Sequence, residues 1–91
     1  MNNRILVIHN PVAGHRRRRR LRRFLKMLKQ SGHHVSVRST TQRGDAREIA
    51  RTANGMNLII AAGGDGTVNE TVDGLLAKDR EGPMPAAGCL P

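Results

Sequence analysis

The sequence predicts an α/β fold in which helices cover both faces of a parallel sheet, giving three layers. The first observation is that short β-branched runs alternate with segments of helical spacing, in the order strand, helix, strand, helix, strand, helix, strand. The second is the length, because 91 residues make one domain at most. Strands that alternate with helices are typical of a parallel sheet with right-handed crossovers. The pattern ends after about the fourth strand.

The first strand and helix lie in the amino-terminal third of the chain. "RILVIH" (4–9) is a compact apolar run followed by Pro11 and Gly14, so it predicts a buried strand that enters a loop. The next segment has apolar residues at intervals of three and four, and Gly32 supplies a stop. It therefore predicts a helix with one apolar face. That face consists of Leu21, Phe24, Leu25 and Leu28.

The second strand and helix are shorter. "HVSVRS" (34–39) alternates apolar and polar residues, as a strand does. From Asp45 to Ala53 small apolar residues return to helical spacing, and an acidic residue occupies the first turn. Asn54-Gly55 is expected to end this helix.

The last three elements surround a glycine-rich turn. "MNLIIAA" (56–62) is apolar on both faces and predicts the third strand. A third helix is marked by four apolar residues, and "MPAAGCLP" (84–91) allows only a short fourth strand. The four residues that mark the helix are Val68, Val72, Leu75 and Leu76.

Composition indicates a basic intracellular protein. The chain has 16 Lys and Arg against 7 Asp and Glu, a net charge of +9, and all its acidic residues lie at or beyond Asp45. Anionic partners are therefore expected. The single cysteine, Cys89, cannot form an internal disulfide, which fits a reducing compartment, and we expect it to be a small buried thiol. No segment approaches the roughly 20 apolar residues of a membrane span, so a cytoplasmic location is predicted.

The turn "GGDG" (63–66) follows a predicted strand and precedes a predicted helix. Ligands of open parallel sheets bind at this edge, where glycines admit a ligand and free N–H groups at Thr67 favour phosphate. Asp65 would repel phosphate unless a cation such as Mg²⁺ lies between them, or unless it accepts hydrogen bonds from loop N–H groups or a sugar hydroxyl. The alternative is a structural turn, and Thr67 with Glu70 also fits a capping box that starts the helix.

Three motifs resemble those of one enzyme family. "GGDGTVNE" (63–70), preceded by "NPVAG" (10–14) and "TTQRGDA" (40–46), is similar to the catalytic domain of diacylglycerol kinases, a family that includes bacterial lipid kinases and sphingosine kinases. The resemblance runs from Ile5 to Pro91. It implies the fold shared by NAD kinases and diacylglycerol kinases, with ATP and Mg²⁺ as cofactors and a lipid substrate at a membrane surface.

The resemblance also implies an ATP site formed by three segments. All of them follow predicted strands, and in a parallel sheet they meet at one edge. For Thr40 alone, a turn or cap before the second helix is the alternative. The implied site residues are Asn10, Pro11, Val12, Ala13, Gly14, Thr40, Gly64, Asp65, Gly66, Thr67, Val68, Asn69 and Glu70.

The resemblance further implies that residues 1–91 are the amino-terminal part of a catalytic domain. In related kinases a glycine-threonine loop and a largely β domain follow, and that domain supplies the lipid pocket and the acid/base residue. This chain contains neither feature. Catalytic residues and a regulatory metal site are therefore not expected in it, and the chain by itself is expected to be inactive.

The arginine run "RRRRRLRR" (16–23) has three interpretations. It contacts anionic lipid head groups, which would make the protein peripheral to a membrane, or it contacts nucleic acid phosphates, or it forms a solvated helix face. Nucleic acid is not an expected partner, because Phe24 is the only aromatic residue. The competing function for the whole chain is a basic module that binds acidic lipid or nucleic acid, with a purely structural glycine loop. His33 and His34 have no neighbouring ligands and do not indicate a metal site.

Overall fold

A computed structural model describes residues 3–12, 14–78 and 82–90. Four strands alternate with three helices in the predicted order. The elements are β1 (Arg4–His9), α1 (His15–Gln30), β2 (His34–Ser39), α2 (Asp45–Thr52), β3 (Leu58–Ala62), α3 (Asp65–Ala77) and β4 (Ala86–Leu90).

The strands form one sheet with the order β2-β1-β3-β4, and every neighbouring pair is parallel. The register aligns the carboxyl ends: His9 pairs with Ser39 on one side and with Ala62 on the other, and Ala62 pairs with Leu90. The loops that leave β1, β2 and β3 therefore begin at the same edge of the sheet.

Helices cover both faces of the sheet, as predicted. Leu6 and Ile8 of β1 pack with residues of α2 and α3, whereas Ile5 and Val7 pack with Leu21 and other residues of α1. Successive side chains of a strand point to opposite faces, so the continuous apolar run of β1 serves two cores. The three-layer α/β prediction is confirmed.

Helix α1 has the predicted apolar face. Leu21 and Leu28 are buried, and Phe24 and Leu25 are partly buried against the same core. The helix ends at the predicted glycine: Gly32 has φ of 85°, and its N–H donates to the carbonyl of Lys29. With the bond from the N–H of His33 to the carbonyl of Leu28, this completes a Schellman motif.

Helix α2 is one residue shorter than predicted, because Ala53 already has an extended backbone. Strand β3 likewise begins at Leu58 rather than at Met56. Both differences lie at element ends, where the hydrophobic period carries least information.

The buried face of α3 differs from the four residues that mark the helix in the sequence. Leu75 is buried, but Val72 is 43% exposed and Leu76 is 70% exposed. The buried positions are instead Thr67, Thr71, Gly74 and Leu75. Small residues occupy this face because α3 approaches α2 closely: a Cβ on Gly74 would lie 2.2 Å from the carbonyl oxygen of Arg47.

Cys89 is exposed, so the prediction of a buried thiol is wrong. It lies on β4, an edge strand that packs mainly against β3. Its register partner Ala61 is buried because β3 is a central strand. Within the described ranges, no helix combines the length and apolar character that crossing a bilayer demands.

Candidate functional site

Three loops meet at the carboxyl edge of the sheet because the strand ladders extend into them. The N–H of Asn10 donates to the carbonyl of Ala62 at 3.1 Å, and the N–H of Thr40 donates to the carbonyl of His9 at 2.9 Å. The N–H of Gly63 donates to the carbonyl of Leu90 at 3.4 Å. These bonds fix the first residue of each loop relative to its neighbouring strand.

A cleft of about 540 Å³ opens between these loops. It includes seven of the residues expected at an ATP site, from all three predicted segments: Asn10, Pro11, Val12, Thr40, Gly66, Thr67 and Glu70. Four more lining residues were not expected: Thr41, Gln42, Arg43 and Ala46. All four belong to "TTQRGDA" (40–46), of which only Thr40 was expected at the site. The polar composition of this loop after β2 is the sequence feature that could have indicated them.

Other expected site residues lie outside the cleft lining. Gly14 and Gly64 precede α1 and α3, while Asp65, Val68 and Asn69 lie in the first two turns of α3. Asp65 and Asn69 are exposed, and Val68 is partly buried. Ala13 lies outside the described residues.

The first loop turns tightly after β1. The side-chain carbonyl of Asn10 accepts a hydrogen bond from the N–H of Val12 at 3.1 Å, which forms an Asx turn around Pro11. The loop leaves Val12 86% exposed and then enters α1 at Gly14. In this loop the carbonyl oxygen of Pro11 accepts a hydrogen bond from the guanidinium of Arg18 at 3.5 Å.

The second loop is organised by Asp45 rather than by Thr40. One carboxylate oxygen of Asp45 accepts bonds from the N–H and the hydroxyl of Thr41, at 2.7 and 2.8 Å, and from the N–H of Gln42 at 3.1 Å. These hydrogen bonds, led by the backbone bond from Thr41, lower the pKa of Asp45. Thr40 is 8% exposed and does not cap α2, which begins after Gly44 with φ of 94°.

The capping box proposed for Thr67 and Glu70 is wrong. Helix α3 begins at Asp65 after Gly64, so Thr67 is already its third residue, and α3 has no side-chain cap. The carboxylate of Glu70 instead accepts a hydrogen bond from the N–H of Gly44 at 2.9 Å. Glu70 thus ties the loop before α2 to α3 and closes one wall of the cleft.

The glycines of the site fall into two groups. A Cβ on Gly63 would lie 2.7 Å from the hydroxyl of Thr67, so this glycine is required by packing. A Cβ on Gly14 or Gly66 would meet nothing within 4 Å, and one on Gly64 would meet only Arg17, at 3.5 Å. None of these three has a positive φ. Neither packing within the described chain nor backbone conformation requires glycine there, and the open space lies at the edge where phosphate binds in such sheets.

The charged residues at this edge of the sheet suit the binding of a polyanion that carries its own cation. Arg43 lines the cleft, and the carboxylate of Glu70 is occupied by the N–H of Gly44. Asp65, in the first turn of α3, is an exposed carboxylate next to the open glycines. No cluster of three or more His, Cys, Asp or Glu with metal-binding geometry occurs among the described residues. Mg²⁺ commonly needs only one or two carboxylates when phosphates supply other ligands.

His9 ends β1 beside this edge. Burial lowers the pKa of its imidazole, and the positive charge of Arg18 lowers it further, so both effects favour the neutral form. Its Nε2 atom is buried and has no hydrogen-bond partner among the described residues. No sequence motif indicates a special role for His9.

The arginine run covers the exposed sides of α1. All seven arginines between residues 16 and 23 are exposed, and α1 has no acidic residue in its first turn. On α2, by contrast, Arg51 forms an ion pair with Glu48.

Comparisons with known proteins agree with the fold and the motifs. The family model of the diacylglycerol kinase catalytic domain matches residues 4–91. The chain is 40% identical over 88 residues to a diacylglycerol kinase of Bacillus subtilis, covering 93% of this chain and 28% of that protein. It is 44% identical over 73 residues to a "probable lipid kinase YegS-like" protein of Chromohalobacter salexigens, covering 78% of this chain and 23% of that protein.

A solved structure supports the same assignment. A diacylglycerol kinase from Bacillus anthracis superposes with a TM-score of 0.75 at 27% identity, covering 98% of this chain and 32% of that one. The chain thus spans less than a third of the length of these relatives. With a family model that matches nearly its whole length, this chain belongs to the diacylglycerol kinase catalytic-domain family.

Proposed function

We propose that this chain is the ATP-binding part of a lipid kinase that transfers the γ-phosphoryl group of ATP to a lipid hydroxyl, with a diacylglycerol-like acceptor. One observation carries the proposal: Gly14, Gly64 and Gly66 leave open space at the sheet edge, since a Cβ on Gly14 or Gly66 would meet no described atom within 4 Å and one on Gly64 would meet only the guanidinium of Arg17, at 3.5 Å. A side chain at any of them would occupy the space in which backbone N–H groups meet phosphate. Family membership supplies the reaction class.

The proposed site has three parts. The loop Asn10–Gly14, which includes Pro11, Val12 and Ala13, would border the nucleotide on one side, and Thr40 would add a hydroxyl on the other. The segment Gly64–Glu70 would bind phosphates through its backbone, with Thr67 in the cleft wall and Val68 and Asn69 in the same helix. In this proposal Glu70 acts by holding the loop of Gly44 rather than by touching ATP.

Mg²⁺ would enter with the nucleotide. It would reduce the charge on the phosphates and so permit an acidic side chain beside them. Asp65 is the residue we propose for this contact, because its carboxylate is exposed in the first turn of α3. No other described residue of "GGDG" carries a charge.

Residues 1–91 are proposed to be the amino-terminal part of the catalytic domain. Phosphoryl transfer depends on positioning the acceptor and neutralising charge. The lipid pocket and the acid/base residue are therefore assigned to a following β-rich domain, and the 91-residue chain should bind ATP without transferring phosphate. In the cell, this function fits phospholipid metabolism on the cytoplasmic side of a membrane.

Calorimetric titration with Mg²⁺-ATP tests the proposal directly on the 91-residue chain. Gly64→Val should abolish binding and leave the far-ultraviolet circular dichroism spectrum unchanged, because its backbone has φ of −85°. Gly88→Val is the matched control: a Cβ there also meets nothing within 4 Å, but the residue lies on β4. Equal ATP affinity in the Gly64→Val variant would make the loop purely structural.

For the arginine run we propose contact with anionic lipid, in preference to a solvated face. The observation that favours it is the number of exposed cations on one helix, combined with a lipid substrate. Near an anionic membrane each basic residue contributes about 1 kcal/mol. The protein would then be peripheral to the membrane. The alternative function, a basic module that does not bind ATP, would make the same contact with anionic lipid.

Vesicle sedimentation distinguishes these alternatives. Binding to vesicles that contain phosphatidylglycerol should fall when Arg16, Arg19 and Arg23 are replaced by Gln, and it should weaken with salt. Vesicles of phosphatidylcholine alone provide the control. Unchanged binding by the triple variant would assign the run to a solvated face, and vesicle binding without ATP binding would favour the basic module.

A further inference from the structure

Arg17 differs from the other arginines of α1 in its position on the helix. It lies four residues before Leu21, and residues four apart share one face of a helix. Leu21 and Leu28 on that face are buried against the sheet. Arg17 therefore continues the sheet-facing stripe of α1 rather than its outward face. It stays exposed, because this turn lies at the carboxyl edge of the sheet.

The side chain of Arg17 reaches the loop that begins α3. A Cβ built on Gly64 would lie 3.5 Å from Nη1 of Arg17. Apart from the chain neighbours of Gly64, no other atom of the described residues lies within 4 Å of that position. Two helices from opposite faces of the sheet thus meet here: α1 supplies a guanidinium and α3 supplies an open glycine.

No contact within the described chain explains why the charged side chain of Arg17 lies beside Gly64. The ion pair that the structure describes joins Arg51 to Glu48, and the arginine side chains with described hydrogen bonds are those of Arg18 and Arg51, not that of Arg17. A cation in the first turn of a helix is also disfavoured by the helix dipole, and α1 has no acidic residue there to offset it. An anion bound between Arg17 and Gly64 would relieve both effects.

We infer that Arg17 is a phosphate-binding residue that acts together with the glycine loop. The inference rests on the proposed ATP site and adds to it a residue from α1, the one helix that packs on the other face of the sheet. The planar guanidinium presents paired N–H donors that match two phosphate oxygens. This role distinguishes Arg17 from the other arginines of the run, whose outward members face solvent or lipid.

Titration of the 91-residue chain with tripolyphosphate and with Mg²⁺-ATP tests this role. Arg17→Gln should weaken the binding of both by about tenfold or more, as the loss of a charge-assisted contact predicts. Lys26→Gln is the matched control, because it removes one charge from an exposed position of the same helix. It should change both affinities by less than about twofold, as expected for a screened charge. Arg17→Lys, which keeps the charge but loses the planar donors, should give an intermediate affinity.

The outcomes separate this inference from the proposed function. Equal losses in Arg17→Gln and Lys26→Gln would overturn the role of Arg17 and leave only general attraction. ATP binding that Arg17→Gln leaves unchanged would overturn it while the ATP site stands. Binding of tripolyphosphate but not of ATP, with the expected order of variants, would support Arg17 and contradict the nucleotide site. A chain that binds neither ligand would contradict both.

Discussion

Helices α2 and α3, which both contribute residues to the cleft, approach each other closely, and Gly74→Ala tests this contact. A Cβ at this position would lie 2.2 Å from the carbonyl oxygen of Arg47 and 2.8 Å from Cβ of Ala50. Non-bonded heavy atoms are normally about 3.5–4.0 Å apart, so the helices must separate by roughly 1 Å. Overpacking of this kind costs about 1–3 kcal/mol. In an unhindered helix the same change would instead stabilise the protein by about 1 kcal/mol.

The sign of the change in the free energy of unfolding therefore tests whether α2 and α3 lie this close together. Because the clash is with a backbone oxygen, the overpacking cost should lie in the upper part of its range, about 2–3 kcal/mol. Subtracting the gain of about 1 kcal/mol, we expect Gly74→Ala to lower the free energy of unfolding by about 1–2 kcal/mol. Urea denaturation followed by circular dichroism measures it. Gly66→Ala is the control in the same helix, because a Cβ there meets nothing within 4 Å, and its stability should equal or exceed that of the wild type. A Gly74→Ala variant as stable as the wild type would refute the close approach of the two helices.

Three further predictions concern the loops of the cleft. Glu70→Ala should increase hydrogen exchange at the amide of Gly44, which loses its acceptor, whereas Asp73→Ala on the same helix should not; equal exchange in both would contradict the bridge. The lowered pKa of Asp45 means that its ionised form is favoured by folding, so the stability it contributes is present at neutral pH and is lost as pH falls below about 4. Asp45→Asn should therefore reduce the difference in urea midpoint between pH 7 and pH 2.5, and an unchanged difference would show that other groups cause it. Asp65→Asn should weaken binding of Mg²⁺-ATP more than binding of metal-free ATP, measured by calorimetry, and equal losses would indicate a hydrogen-bonding role instead.

The fold could be predicted from the sequence because its signals are local and periodic. The run Ile5–Ile8, the stripe of α1 and the stop at Gly32 each follow from spacing and side-chain type alone, and the structure has all three. The buried face of α3 could not be obtained in this way. Gly74 and Thr71 are buried there because α2 lies close to them, and that proximity is a property of the tertiary structure.

In the site, too, some features follow from the sequence and others depend on the tertiary structure. The meeting of three loops at one edge follows from parallel topology, and the cleft contains residues from all three. Side-chain partners across the cleft were not predictable. Glu70 has the spacing of a capping box with Thr67, yet it bonds to Gly44, which lies 26 residues away. Cys89 is exposed for a similar reason, since burial at that position depends on what covers an edge strand.

The central claim is that nucleotide phosphates bind over the glycines at the carboxyl edge of the sheet. Amide chemical shifts of the ¹⁵N-labelled chain, recorded during titration with Mg²⁺-ATP, test it most directly. The account predicts saturable shifts at Gly14, Thr40, Gly64 and Gly66, and little change at the far end of α1 around Gln30. Shifts confined to the arginines of α1, with the glycine amides unmoved and the same response to inorganic phosphate, would contradict it.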